Sequence, residues 1–244
     1  MLRFIGALSI IFAFIIEAAI TEFFSFCLAT HPRVRNRIIA ELMSRYADRL
    51  LHMLQIKCDF ERLPKHLEGG LIACNHISYI DALVISKAMP SFFITSVEVR
   101  NSWGLGLISR LCHCIFVERR NRLSLDVETH TIEKALRENI PVVLFPEGTS
   151  TDGAKILPFR PALYQSAINA HSTVHNFHIQ YDHPSVAYYG TMEFVSHLIK
   201  LCRQGPCWAT LTYLGETNPT LDCDRKWIAQ KSYEKVLENH VCRV

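Results

Sequence analysis

Beyond residue 70, short apolar runs alternate along the chain with segments in which apolar residues recur at helical spacing. The predicted strands are residues 71–74, 92–95, 115–117, 142–145, 173–180, 186–189 and 207–214. The predicted helices are residues 79–89, 103–111, 125–138, 161–170, 193–202 and 224–239. Strands that alternate with helices favour a mostly parallel central sheet flanked by helices, so the sequence predicts an α/β fold.

The N-terminus adds a long apolar stretch to this pattern. Residues 4–16 carry no charged side chain, and the apolar character continues past Glu17 and Glu22 to about residue 29. A spanning helix needs roughly 20 apolar residues, so the charge-free core is short for one. A signal peptide, a tilted span and a helix or hairpin lying in one leaflet remain open. No small-x-small cleavage pattern follows, and we predict an N-terminal membrane-associated helical segment.

The residues after this stretch indicate which side of a membrane it faces. Arg33, Arg35 and Arg37 form a basic group that would lie against anionic headgroups, which predicts association with the cytoplasmic face, the inner membrane if the source is bacterial. Residues 31–57 follow with the pattern of an amphipathic linker helix. We therefore divide the chain into an N-terminal helical segment and linker, residues 1–57, and an α/β domain, residues 58–244.

Composition limits the class of protein. The chain has 244 residues, of which 49% are hydrophobic and 20% charged, so a sizeable core is available and a disordered chain is excluded. The net charge of +3 neither requires nor excludes nucleic acid, and none is predicted as a partner. The nine cysteines form no CxxC, and Cys112 and Cys114 lack the second pair of ligands that a zinc site needs. Reduced thiols in the cytosol are the expected state.

Polar residues follow three of the predicted strands. Ligands in parallel sheets bind beyond the carboxyl ends of the strands, so the residues placed there are the first candidates for a site. His76 follows residues 71–74, Arg119 follows residues 115–117, and the turn at 146–149 follows residues 142–145. We predict that these three strand ends converge.

The segment NHISYID, residues 75–81, contains a histidine five positions before an aspartate. In a regular helix these positions lie about 140° apart, so the pair needs His76 in the turn before a helix and Asp81 on its second turn. Asp81 would then accept a hydrogen bond from one ring nitrogen, and the other could take a proton from a hydroxyl. Taken alone, the spacing favours a turn histidine and a solvated carboxylate. Ser78 lacks the surroundings of a serine nucleophile and fits a helix-start cap.

The other two strand ends carry features that bind anions. Pro146 and Gly148 predict a tight turn whose backbone N–H groups could bind an anion, and Glu147 could accept a substrate hydroxyl. Arg119 belongs to the basic run FVERRNR, and arginine suits a bidentate phosphate contact. Each feature alone is also typical of an ordinary turn or a solvated loop.

Together the three segments NHISYID, FVER and FPEGTS resemble the glycerolipid acyltransferase family, which includes 1-acyl-sn-glycerol-3-phosphate acyltransferases and belongs to the lysophospholipid acyltransferase superfamily. The first family motif is matched by Asn75, His76, Ser78 and Asp81. The second motif is matched by Arg119, and the third by residues 145–149. A following Pro-Phe-basic block is echoed by residues 157–160. The similarity covers roughly residues 55–215, so residues 58–244 would be the acyltransferase domain.

The resemblance implies a reaction. His76, oriented by Asp81, would deprotonate the hydroxyl of a lysolipid, which attacks the thioester of an acyl-CoA or an acyl carrier protein. No acyl-enzyme, cofactor or metal would be needed. Arg119 would hold the acidic head of the acceptor, with Glu147, Gly148 and Thr149 also binding substrate. The supporting residues would be Asn75, Ser78, Pro146 and Arg160.

Departures from the family pattern leave the acceptor open. Ser150 occupies a position that is often arginine, so the phosphate contact could shift to Arg160, and the fourth motif region, residues 173–180, lacks its usual prolines. Lysophosphatidate and a lyso-ornithine lipid are both compatible acceptors. Three other functions stay open: a lipid ester or thioester hydrolase using the same His-Asp pair, a non-catalytic lipid-binding protein, and a metal site formed by His76, Asp81 and nearby histidines.

Overall fold

The computed structural model describes residues 1–28, 30–65, 67, 69–102, 105–118, 125–220 and 222–241. The helices are α1 Leu2–Cys27, α2 Pro32–Met53, α3 Ile80–Ala88, α4 Val97–Asn101, α5 Leu105–Leu111, α6 Leu125–Arg137, α7 Gln165–Ala170, α8 Phe194–Arg203 and α9 Arg225–Val241. The strands are β1 Ile56–Glu61, β2 Leu71–Cys74, β3 Phe92–Ser96, β4 Ile115–Val117, β5 Val142–Leu144, β6 Val174–Tyr181 and β7 Cys207–Thr217.

The strands of the described residues form one seven-stranded sheet in the order β1-β7-β6-β2-β5-β3-β4. Neighbouring strands are parallel except for β6 and β7, which are antiparallel. The predicted α/β fold with a mostly parallel sheet is therefore confirmed. Strand β2 lies between β5 and β6, and its carboxyl end opens the loop that carries His76.

Helices cover both faces of the sheet, which explains why β2 reads as an uninterrupted apolar run. Ile72 and Cys74 pack into one core with residues of α1, α2, α3 and α8. Leu71 and Ala73 pack into a second core with residues of α6, α7 and α9. All four residues of β2 are fully buried, so the strand that leads into the candidate site is held from both sides.

Some elements differ from the predicted ones. Residues 186–189 do not form a strand: Pro184–Val186 is a 3₁₀ turn, and Tyr188 donates its backbone N–H to the carbonyl of Ile77. The edge strand β1 was not predicted, because its alternation of apolar and polar residues follows directly on the helical pattern of the linker. Helix α4 was also missed; its first turn is capped by Ser96, whose hydroxyl accepts the N–H of Val99.

Helix α1 lies along the domain instead of projecting from it. Its buried face, which includes Phe14, packs on α2. Its charged side chains bind the rest of the chain: Arg3 donates to the carbonyl of Gln204, and Glu17 accepts from the hydroxyl of Tyr46. The opposite face exposes a stripe of large apolar side chains, Ile5, Leu8, Phe12, Ile16, Ile20 and Phe23. In the part of the chain that is described, α1 is the one helix long and apolar enough to cross a membrane.

Candidate active site

The centre of the site is the contact between His76 and Asp81. Nδ1 of His76 lies 2.8 Å from Oδ2 of Asp81, the contact that the family resemblance implies and that the spacing alone did not favour. His76 lies in the turn after β2, but Asp81 is the second residue of α3 and so belongs to its first turn, not the second. The turn is tighter than expected because the same Oδ2 also accepts the backbone N–H groups of Ile77 and Ser78, at 2.7 and 3.0 Å.

Asp81 is fully buried, and four donors offset the cost of burying its carboxylate. Three of them reach Oδ2: the His76 ring and the backbone N–H groups of Ile77 and Ser78. The fourth is the hydroxyl of Tyr181, which donates to Oδ1 at 2.7 Å. Tyr181 is not among the predicted site residues, since it lies 100 positions away in β6 and no spacing rule connects it to Asp81.

The contacts of His76 determine which ring nitrogen can react. An ionised carboxylate only accepts hydrogen bonds, so the Nδ1–H of His76 donates to Asp81 and Nε2 carries the lone pair of the neutral ring. Nε2 has no hydrogen-bond partner among the residues that the structure describes, and the side chain is 21% exposed. The ring stacks on Phe145, with centroids 4.1 Å apart and an interplanar angle of 15°. A fixed, partly exposed imidazole with one ring nitrogen free of hydrogen bonds to the described residues can act as a base.

The two other polar residues of the first motif support the turn. The hydroxyl of Ser78 accepts the N–H of Ile80 at 3.3 Å, while the N-cap position of α3 is Tyr79, so Ser78 stabilises the helix start from one residue further out than a cap. Asn75 donates from its amide to the carbonyl of Ile179 at 2.9 Å and accepts the N–H of the same residue at 2.8 Å. Asn75 thus joins the end of β2 to β6.

Glu147 links the first and third motifs. It is only 2% exposed; Oε1 accepts the backbone N–H of His76 at 2.7 Å, and Oε2 accepts that of Leu157 at 2.8 Å. Burial raises the pKa of Glu147 to about 7, although the backbone hydrogen bonds from Leu157 and His76 oppose the rise. The predicted role was an open acceptor for a substrate hydroxyl. In the structure both oxygens accept backbone N–H groups, so Glu147 holds the backbone of His76, and its contact with a substrate stays a prediction.

A cationic side chain lies against the turn of the third motif. Gly148 has φ of +76°, and a Cβ at this position would lie 2.8 Å from Nε of Arg160. The backbone N–H of Arg160 donates to the carbonyl of Pro146 at 2.9 Å, which holds the arginine beside the turn. Arg160 is exposed, and no acidic partner for it occurs in the described part of the chain.

The remaining residues of this turn face two ways. Thr149 is exposed, and its hydroxyl lies 3.4 Å from the carbonyl of Ser150. The hydroxyl of Ser150 donates to the carbonyl of Tyr188 at 2.6 Å, so Ser150 ties the turn to the segment that follows β6. The exposed guanidinium of Arg160 therefore lies beside the turn of the third motif.

Arg119, the residue predicted to hold the acceptor head, lies outside the described residues, as do the neighbouring arginines 120 and 122. Of the three strand ends that were predicted to converge, those of β2 and β5 lie next to each other, because the two strands are adjacent in the sheet. The end of β4 lies beyond β3, two strands further along. Within the described ranges no three His, Cys, Asp or Glu side chains form a group that could hold a metal, and the eight cysteines in those ranges are free thiols.

A family model for acyltransferases matches residues 55–180, just over half of the chain, and this region contains every residue of the site described above except Tyr181 and Tyr188. The chain belongs to the acyltransferase family. Its relatives include proteins with two different named acceptors.

The 1-acyl-sn-glycerol-3-phosphate acyltransferase of Neisseria meningitidis is 33% identical over 144 residues, which cover 59% of this chain and 55% of the relative. The lyso-ornithine lipid O-acyltransferase of Brucella abortus is 30% identical over 189 residues, which cover 70% and 69%. That of Rhizobium meliloti is 31% identical, over 55% and 52% of the two chains. The chain thus spans about half the length of the Neisseria and Rhizobium relatives.

The crystal structure of the 1-acyl-sn-glycerophosphate acyltransferase of Thermotoga maritima superimposes with a TM-score of 0.71 and covers 98% of this chain and 94% of that one. The two sequences are 17% identical, so the match shows a shared acyltransferase fold.

Proposed function

We propose that the chain transfers an acyl group from an acyl-CoA or acyl carrier protein thioester to the hydroxyl of a lysolipid with an acidic head. The observation that carries the proposal is the pair His76 and Asp81, in which Nδ1 contacts the carboxylate, Nε2 has no hydrogen-bond partner among the described residues, and the side chain is 21% exposed. The two classes of relatives acylate lysolipids according to their names, which supports the same class of reaction here.

The proposed reaction uses the pair as a general acid and base. Nε2 of His76 takes the proton of the lysolipid hydroxyl as its oxygen attacks the thioester carbonyl, and Asp81 stabilises the imidazolium that forms. The tetrahedral intermediate expels the thiolate, which recovers the proton from Nε2. The products are the acylated lipid and the free thiol, and the enzyme returns to its starting state without an acyl-enzyme or a bound cofactor.

The proposed site for the acceptor head is the turn of the third motif. Arg160 offers an exposed guanidinium beside Gly148, and both phosphate and carboxylate groups suit a guanidinium. Residue 150 is serine where the family motif often has arginine, so we propose that Arg160 supplies the anion contact instead. Arg119 is proposed as a second cation, on the strength of the motif that it matches.

The proposed location is the cytoplasmic face of a membrane, with α1 lying in one leaflet. Helix α1 has 26 residues and would be about 39 Å long. Because Arg3, Glu17 and Glu22 bind the domain along that length, one apolar face is left for lipid. An in-plane helix of this kind places lysolipid and membrane products next to the domain. The exposed Arg33 and Arg37 at the start of α2 would meet anionic headgroups.

The test is a panel of acceptors with purified protein held in detergent. Acyl-CoA and acyl carrier protein donors are each tested with lysophosphatidate, lyso-ornithine lipid and glycerol 3-phosphate. We expect acylation of a lysolipid, reduced ~10²-fold or more in His76→Ala, as for the loss of a general base. Full activity of this variant contradicts the mechanism. Release of free fatty acid without any acylated acceptor indicates a hydrolase, and no reaction with any donor indicates a lipid-binding protein.

A further inference from the structure

Strand β6 extends past the ladder that it shares with β2. The ladder ends at the pair of Cys74 and Phe177, and beyond it the side chain of Asn75 makes two hydrogen bonds to the backbone of Ile179. On its other edge, β6 remains paired with β7 as far as Tyr181, whose partner is Ala209. The backbone that carries Tyr181 is therefore held from both sides.

This placement brings the Tyr181 hydroxyl to Asp81. It donates to Oδ1 at 2.7 Å, whereas the His76 ring and two backbone N–H groups share Oδ2. Each oxygen of the carboxylate thus has its own donors, and rotation of the carboxylate would break hydrogen bonds on both sides. Burial and the nearby Asp81 carboxylate raise the pKa of Tyr181 well above its usual value, so its hydroxyl keeps the proton that it donates.

The orientation of the carboxylate matters for proton transfer. Oδ2 holds the Nδ1–H of His76 and thereby sets the direction in which Nε2 points. If Oδ1 lost its donor, the buried oxygen would be left unpaired and the carboxylate would gain freedom to turn. A base whose direction is not fixed spends less time in the geometry that reacts.

We propose that Tyr181 is a positioning residue of the active site, which acts through Asp81 to hold the His76 ring in its reactive direction. This inference rests on the proposed acyl transfer, and it gives a function to the atypical fourth motif region. Residues 173–180 lack prolines but bring the backbone of Ile179 to Asn75, and Tyr181, the residue that follows them, donates its hydroxyl to Asp81.

The first test removes only the hydroxyl. Tyr181→Phe is expected to lower kcat ~10-fold with the KM values of both substrates unchanged, because the proposed role of the residue is to orient the base and not to bind substrate. Tyr213→Phe is the matched control: it removes a tyrosine hydroxyl from the neighbouring strand, where its partner is His175 at 3.4 Å, and kcat should stay the same. Wild-type kcat in Tyr181→Phe, with His76→Ala inactive, overturns this inference and leaves the proposed function intact.

A double-mutant cycle tests the route. If Tyr181 acts through Asp81, then Tyr181→Phe should cause no further loss of kcat in the Asp81→Asn background. A full additional ~10-fold loss in that background would show another route and overturn the inference. Activity that survives His76→Ala overturns the proposed function. A measurement that needs no turnover then tests separately whether Tyr181 positions the His76 ring.

That measurement is the NMR resonance of the Nδ1 proton of His76 in protein labelled with ¹⁵N-histidine, assigned by its loss in His76→Ala. We expect it to move in Tyr181→Phe and to stay in place in Tyr213→Phe. If Tyr181→Phe does not fold, 3-fluorotyrosine introduced at position 181 keeps the ring and changes the acidity of the hydroxyl, and the resonance should again move. An unchanged resonance in the folded variant overturns the inference.

Discussion

Asp81 and Glu147 are two buried carboxylates that both bind His76, with 0% and 2% of their surface exposed. Asp81 binds the His76 ring and the Tyr181 hydroxyl as well as two backbone N–H groups. Glu147 binds two backbone N–H groups, one of them that of His76 itself. The two carboxylates therefore hold different parts of His76: Asp81 orients its side chain, and Glu147 holds the backbone from which that side chain projects.

The comparison is tested most severely by Asp81→Asn. An amide at this position would present an N–H to the Nδ1–H of His76 or to the backbone donors, which disfavours the reactive tautomer. We expect kcat to fall ~10²-fold in the acyl-transfer assay, while the KM values change little. Near wild-type kcat would show that the carboxylate does not direct the base.

The ionisation of Glu147 should make the free energy of unfolding depend on pH. Its pKa is raised to about 7, whereas the ordinary value is 4.5, so the folded state binds more protons than the unfolded state between these pH values. The free energy of unfolding of the wild type should therefore fall as pH rises from 4.5 to 7, by on the order of 3 kcal/mol for this group.

Glu147→Gln is the matched control, because glutamine does not titrate. The difference in the free energy of unfolding between wild type and Glu147→Gln, measured in urea at several pH values, should change across this window in the direction stated. A difference that is constant from pH 4.5 to 7 contradicts the buried ionisation of Glu147.

Arg160 sharpens the distinction between chemistry and binding. Arg160→Gln should raise the KM for the acidic acceptor ~10-fold through the loss of a charge-assisted contact, and should leave kcat nearly unchanged. Lys155→Gln removes an exposed cation from the same segment and serves as the control with no expected effect. A loss in kcat with an unchanged KM would place Arg160 with Asp81 and not with the acceptor site.

The smallest effect is expected for Ser78→Ala. The hydroxyl of Ser78 accepts one N–H at 3.3 Å, so its removal should cost about 1 kcal/mol of stability and change kcat less than ~3-fold. Loss of activity comparable with that of Asp81→Asn would restore the interpretation of Ser78 as a nucleophile. Thermal unfolding and steady-state kinetics on the same preparation measure both quantities.

Much of the fold could be predicted from local patterns. Strands β2 and β4 begin and end where the sequence predicts, because strands buried on both faces are continuous apolar runs bounded by polar residues. Residues 186–189 are similarly apolar but pair with no strand, since the backbone N–H of Tyr188 donates to the carbonyl of Ile77 in the loop of the first motif. An apolar run in the sequence predicts a strand, but it does not specify which carbonyl will accept a given backbone N–H.

The candidate site divides in the same way. The contact between His76 and Asp81 lies within six consecutive residues, so the family resemblance could predict it, although the spacing alone favoured a solvated carboxylate. The contacts of Glu147 with His76, of Arg160 with Gly148 and of Tyr181 with Asp81 depend on which strands are neighbours and in what register. Strand order and register result from the burial of two helical layers against one sheet, a property of the whole chain. For that reason the three motifs of the sequence could predict the pairing of His76 with Asp81, and only the tertiary structure decided what holds the pair in place.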